Sequence, residues 1–226
     1  MTKFTLEIQL LSAACPGAGE GWGGIIDHDV VFDAMGLPYI PGRRLRGILL
    51  EQAREIIHIL NNLQPRQQII SMQTAESMFG SQGLAEAAPL IIENAYLPDY
   101  FKVKEWLAWA RCRFADMALV SPDRVLASFT SMRQQTAIDE NGIAEDKSLR
   151  TMRVLNRDRK FYADIFINDD NESFQDLFAL AAALFRSFGS KRNRGLGRIK
   201  CRLLNTDGVD ITQTTVQKYQ KLLQEA

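Results

Sequence analysis

Apolar and polar positions alternate at the start of the chain. Phe4, Leu6, Ile8 and Leu10 are separated by Thr5, Glu7 and Gln9, the two-residue period of a half-buried strand. The period then lengthens. Leu45, Ile48, Leu49, Ala53, Ile56, Ile57 and Leu60 recur at helical spacing and predict a helix with one core-facing stripe. A short helix ends at Met78-Phe79-Gly80, and Pro89 to Leu97 reads as a second strand. Val103, Trp106, Leu107 and Ala110 predict a helix from Tyr100 to Ala110, with Trp106 and Trp109 read as packing residues in preference to base-stacking platforms. Phe161 to Ile167 returns as a core strand. Asn171 or Ser173 caps the following helix, whose stripe is Phe174, Leu177, Phe178, Ala181, Leu184, Phe185 and Phe188. Ile199, Cys201 and Leu203 then alternate with Lys200 and Arg202, and a last amphipathic helix carries Val216, Tyr219, Leu222 and Leu223.

The resulting order is β, α, β, insertion, β, α, β. It predicts an α+β chain folded as a ferredoxin-like or RRM-like plait. The whole chain, 1–226, reads as a single domain. Its insertions lie at about 61–88 and 98–128, forming a peripheral helical lobe, and at about 129–156, forming a hairpin. No apolar run has membrane-spanning length, and the first residues show no signal-peptide pattern, so a cytoplasmic location is expected. Cys15, Cys112 and Cys201 are scattered singly, which suggests neither a zinc knuckle nor a disulfide framework.

Charge changes this picture through its placement. There are 27 cations and 27 anions, so the chain is no generic basic coat for nucleic acid. Yet between Phe185 and Leu203 stand seven Lys or Arg and no acid. At the centre of that stretch, Phe188 to Arg198 holds three glycines with Ser190, Lys191, Arg192, Asn193, Arg194 and Arg198. Backbone amides in such a loop cradle phosphate oxygens, and the cations add charge-assisted bonds. The same residues also read as a solvated basic turn. A Walker loop does not fit, because Arg194 occupies the place of its second glycine. A dinucleotide fingerprint does not fit either, since that motif precedes a helix and this loop follows one. A polymer of phosphates is the better partner.

Two further stretches carry candidate chemistry. A run of five glycines between Pro16 and Gly24 leads into Ile25 to Asp33, where Asp27, Asp29 and Asp33 accompany His28. In an extended segment Asp27 and Asp29 share a face opposite His28. Such acids serve as a divalent-metal or general-base site, or simply as edge and turn acids. Next, Pro38-Tyr39-Ile40-Pro41-Gly42 enters a helix whose first turn holds Arg43, Arg44 and Arg46. Cations oppose the helix dipole there, which suggests an external anion; three solvated arginines are the alternative. The region from Ser128 to Leu155 reads as an irregular hairpin turning at Asn141-Gly142. Arg133, Arg150 and Arg153 line its arms among Met132, Ile138, Ile143, Leu149 and Met152. Basic sides with apolar tips suit a wedge between bases, or a lid or subunit contact.

Four segments in this order resemble the RAMP superfamily of CRISPR systems. They are Gly24-Ile25-Ile26-Asp27, Pro38 to Gly47, Thr136-Ala137-Ile138-Asp139 with Gly142-Ile143-Ala144 and the Arg150 arm, and Gly189 to Gly197. Within the superfamily they are most similar to the backbone subunit of type III effector complexes. That resemblance implies partners: a CRISPR guide RNA, a complementary target RNA and other RAMP subunits. Copies would stack along the guide, hold its phosphates in a palm and insert the hairpin, a thumb, between guide and target. An aspartate at the position of Asp27 would cut the target with a divalent metal such as Mg²⁺. One departure stands out. The family usually places Ser-Ser or Ser-x after Pro-Gly, where this chain has Arg43-Arg44. Two other roles stay open: a structural subunit that binds guide RNA without cutting, and a guide-processing ribonuclease with His28 as general base.

Overall fold

The computed structural model of the chain describes residues 1–17, 26–64, 69–80, 88–113, 120–136, 140, 143, 148–168 and 171–225. Its elements run β1 (Thr2–Leu10), α1 (Gly42–Leu63), α2 (Met72–Phe79), β2 (Leu90–Ile92), α3 (Tyr100–Arg113) and α4 (Pro122–Phe129). They continue with β3 (Thr130–Gln135), β4 (Arg150–Leu155), β5 (Lys160–Ile167), α5 (Glu172–Leu184), β6 (Ile199–Leu204) and α6 (Ile211–Glu225). The four strands β2-β5-β1-β6 form one sheet in that order, with every neighbouring pair antiparallel. The helices α1 and α5 make the two crossovers, so the arrangement is the expected plait. The hairpin β3–β4 forms a second, separate sheet.

Alternation along β1 decides which face is covered. Phe4, Leu6, Ile8 and Leu10 meet Phe161, Ala163, Ile165 and Ile167 of β5 on the face under α1 and α5. The other face is polar, and its centre is Glu7, buried beneath longer side chains. Arg202 and Lys160 pair with its carboxylate, and the Tyr162 hydroxyl donates to it. Burial alone would raise the Glu7 pKa. The bond from Arg202, with the Lys160 and Tyr162 contacts, outweighs burial and holds the group below the ordinary glutamate range.

The structure departs from the sequence expectations at four places, each for a tertiary reason. Pro89 to Leu97 is not one strand: the ladder covers only Leu90–Ile92. Asn94 leaves it so that its Oδ1 accepts the Gly42 N–H at 2.8 Å, capping α1, and bridges resume at Ala95 and Tyr96. The helix α5 is buried nearly all round, including Ala179, Leu180 and Ala182, because α1, α2, α6 and β6 all pack on it. The helix α2 belongs to the main core, where Phe79 stacks on Phe178; the lobe consists of α3 and α4, joined through Leu37, Tyr100, Leu107 and Val125. Finally, Trp106 and Trp109 are 54% and 51% exposed. Trp109 lies away from the face of α3 that buries Leu107 and Ala110, and Trp106, one turn before Ala110, stands at the margin of that face. Among the described residues, no helix is long and apolar enough to cross a membrane.

The approach of α1 to β2 leaves no room for a side chain at Gly42. A Cβ there would sit 2.3 Å from the Ile92 carbonyl oxygen. Gly42→Ala should therefore lower stability by about 1–3 kcal/mol, as overpacking does. A urea melt with an unchanged midpoint would contradict that contact.

Candidate nucleic-acid interface

The glycine-rich loop begins where α5 ends. The Phe188 N–H donates to the Gly197 carbonyl at 2.7 Å, and Ser187 bridges Arg198, so the base of the loop is pinched shut. This pinch requires Gly197: its φ is +75° and a Cβ would lie 1.9 Å from the Phe188 oxygen. Gly189, at φ +88°, is equally constrained, because a Cβ would lie 2.3 Å from the Cys15 oxygen. Two backbones thus touch. The Ser190 N–H donates to Cys15 O at 2.8 Å and the Gly197 N–H to Ala13 O at 2.7 Å. Between these bonds Lys191 takes a left-handed conformation and Arg192–Arg194 form a single 3₁₀ turn. A non-glycine residue at positive φ is strain held by its surroundings.

The loop therefore has an anchored side and a solvent side. Lys191, Arg192, Arg194 and Arg198 are exposed. None of them forms an ion pair among the described residues. Above the loop opens a basin of about 520 Å³, lined by Ser187, Gly189, Ser190, Lys191, Arg192 and Arg194. The Asn193 side chain lies outside the described residues.

Leu196 faces inward and joins this loop to the hairpin. It packs with Cys15, Met152 and Val154 in a small core of its own. The strand β4 pairs with β3 from Thr130↔Leu155 to Gln135↔Arg150. Its other edge carries Ala14 at Leu155 and His28 at Met152, with the Asp27 N–H on Thr151 O and the Arg153 N–H on His28 O. One strand thereby holds the hairpin, the Asp27 segment and, through Leu196, the basic loop. Met152, expected among the apolar tips, is instead 1% exposed, because it fills this joint. Met132, Ile143 and Leu149 are exposed as expected. The turn at Asn141-Gly142, the segment Ala137-Ile138-Asp139 and Gly24-Ile25 lie outside the described residues.

The three acids of the second candidate stretch do different things. Asp27 is partly exposed; its Oδ2 accepts the Thr151 N–H at 2.7 Å and its Oδ1 accepts Arg150 at 3.2 Å. The Thr151 amide first, and then the Arg150 guanidinium, hold its carboxyl below the usual aspartate range against the opposing effect of burial. Asp29 is 2% exposed and takes two bonds from the Arg153 Nη1 at 3.1 and 3.2 Å, and the Val30 N–H at 2.7 Å. Asp33 organises a turn, accepting the Met35 and Leu37 N–H groups and the Tyr100 hydroxyl, each at 2.9 Å. His28 is exposed. Among the described residues no three His, Cys, Asp or Glu side chains converge to hold a metal.

The first-turn arginines of α1 also divide. Arg44 donates to the Gly17 carbonyl and Arg46 to the Phe79 carbonyl, so both brace neighbouring segments. Arg43 is exposed, as is Arg133 on β3. The turn has no acid and its N-cap residue, Pro41, offers no side-chain bond, so the distant Asn94 is the side chain that caps it. Sequence reasoning missed Cys15, Thr151 and Leu196, which fix the geometry without reactive chemistry. Their only signal is a tertiary contact.

The chain belongs to the RAMP superfamily, whose family model matches residues 8–200. Its fold is similar to that of a chain in the cryo-EM structure of the type III-B Cmr-beta bound to cognate target RNA. The TM-score is 0.60 and the identity 13%, covering 90% of this chain and 97% of that one. The apo state of the type III-B Cmr-beta gives a TM-score of 0.59 at 13% identity, covering 92% and 99%. No curated protein matches the chain.

Removing Asp29 strands the largely covered Arg153 charge. Asp29→Ala should cost about 3 kcal/mol, the lower end for a broken buried pair, whereas Asp27→Ala should leave the thermal midpoint nearly unchanged. Equal shifts for the two variants would refute this division of roles.

Proposed function

We propose that the chain is a subunit of a type III CRISPR effector complex, binding guide RNA along its basic loop and presenting Asp27 to the target RNA. One observation supports this reading above the others. The exposed cationic loop, the Asp27 segment and the hairpin are fastened to one another through Cys15, Met152, Val154 and Leu196, so three candidate RNA-contacting parts keep a fixed spacing. Lys191, Arg192, Arg194 and Arg198 hold phosphates together with the Ser190 segment. Arg43 and Arg133 extend the track. Arg44, Arg46, Arg150 and Arg153 already have partners within the chain, so they reach RNA only by sharing or exchanging them.

RNA carries its own nucleophile, the 2′-hydroxyl, so placing that hydroxyl in line with its phosphorus is the larger effect. Asp27, ionised throughout the neutral range, is a weak base. It is better suited to accept a hydroxyl proton in a hydrogen bond or to face a cation. The donor set fits Mg²⁺ only when shared with RNA, because one carboxylate is available and Mg²⁺ ordinarily combines one or two carboxylates with phosphates and water. Held there, the ion would supply Lewis acidity at the scissile phosphate. A purely structural subunit is the second reading, favoured by the full engagement of both Asp27 oxygens with Thr151 and Arg150.

In the assembled complex, Asp27→Ala should abolish Mg²⁺-dependent target cleavage and leave guide binding intact. Undiminished cleavage would remove Asp27 from the reaction. The wild-type rate should show no Asp27 inflection above about pH 5, since the folded-state pKa lies below the ordinary aspartate value of about 3.9. Replacing Lys191, Arg192 and Arg194 together by Ala should lower the salt slope of RNA binding by about 0.7 for each lost contact. An unaltered slope would take the loop off the phosphate path.

A further inference from the structure

The cations near the carboxyl end fall into two groups, and only one crowns the loop. Arg186 and Lys200 instead line a second cleft of about 500 Å³ between β6, the exit of α5 and α6, and Arg198, at the base of the loop, lines it with them. All three are exposed, and none is ion-paired among the described residues. Arg202, on the same wall, is by contrast bound to Glu7. Asp210 also lines the cleft and offsets part of this charge, but three unpaired cations against one acid leave a positive field that draws an anion.

The walls themselves are apolar. Leu11, Phe185, Ile199 and Val216 contribute them, and Leu11 is 42% exposed. Along one rim stand Gln213, Gln217 and Gln220 of α6, whose spacing puts three amides on one helix face. Each amide both donates and accepts. The occupant therefore has a flat apolar body, a polar edge and an attached negative charge.

The strand edge selects among such occupants. β6 is the edge strand of the sheet. Because Arg198 O accepts the Leu11 N–H, the alternation of the ladder turns the N–H and C=O groups of Ile199, Cys201 and Leu203 away from β1. The Ile199 N–H goes to Arg186 O at 3.0 Å and the Leu203 N–H to Thr212 Oγ1 at 2.7 Å. The edge is thus closed on both sides of Cys201, which lines the cleft. A partner peptide strand has no length of open edge to pair with, whereas a single planar group fits.

We propose that this cleft binds one unstacked nucleobase of the RNA strand, with Arg186, Arg198 and Lys200 holding the adjoining phosphates. The site continues the loop's track: Ser187 lines the loop basin and bridges Arg198, which lines the cleft. The inference rests on the RNA reading given above and adds a second contact point to it. Base selectivity, if the Gln amides impose one, resides on α6.

The test uses the full chain with a single-stranded oligouridine carrying 4-thiouridine. Irradiation should attach RNA to peptides containing 198–201 or 213–220, and the double variant Arg186→Ala, Lys200→Ala should lower the salt slope by about 0.7 per residue. Gln217→Glu, a change at an exposed position, should weaken binding and suppress the α6 cross-link. Suppose the oligomer binds and responds to the loop substitutions, yet cross-links only to 189–195 and the hairpin, with the slope unaffected by the double variant. The cleft proposal then falls while the RNA reading stands. Failure of the oligomer to bind at all overturns both.

Discussion

Two backbone bonds hold the molecule's candidate machinery in place: Ser190 N–H to Cys15 O and Gly197 N–H to Ala13 O. They form only because Gly189 and Gly197 lack side chains where the Cys15 and Phe188 carbonyls press against them. With those backbones in contact, Leu196 reaches Cys15, Met152 and Val154, and β4 becomes the common support of the loop, the hairpin and Asp27. The crown of the loop is left in solvent with the Lys191, Arg192 and Arg194 side chains exposed. A side chain at either glycine would separate the loop from everything it works beside.

The charge distribution follows the same division of labour. The chain is neutral as a whole, but the acids nearest the candidate site and the sheet centre are internal counterions. Glu7 balances Arg202, Asp27 balances Arg150, Asp29 balances Arg153, and Asp176 balances Lys218. Exposed pairs such as Asp27–Arg150 are weak and can exchange partners with a phosphate. The buried Asp29–Arg153 pair cannot do so without exposing Asp29 as an unpaired charge. After α5, in the loop and around the cleft beside β6, six cations unpaired among the described residues follow one another with no acid between them.

Much of this was legible in the chain. The alternation in β1, β5 and β6 and the stripe of α1 depend on a single covered face, which periodicity reports directly. The loop was legible because glycine and cation density is a local property. The rest depended on neighbours distant in sequence. Packing by α6 covers the far side of α5, so a one-stripe reading understated its burial. Met152 looked like a wedge residue among arginines until Leu196, some forty residues on, was seen to close over it. Trp106 and Trp109 looked like core because large aromatics usually are, yet the packed face of α3 is that of Leu107 and Ala110. Asp27 and Asp29 looked alike, and only the position of Arg153 separated a partly exposed acid from a buried one.

The central claim is that the exposed Lys191, Arg192 and Arg194 side chains clasp a ribose-phosphate strand beside Asp27. Cryo-EM of the ribonucleoprotein purified with its own RNA measures this most directly. The account predicts backbone phosphates over the Ser190–Arg194 turn, with the hairpin of β3 and β4 crossing the same strand and Asp27 on the side where a complementary RNA would lie. A strand lying instead on the polar face of the sheet around Glu7, with the turn facing protein or empty solvent, would contradict it.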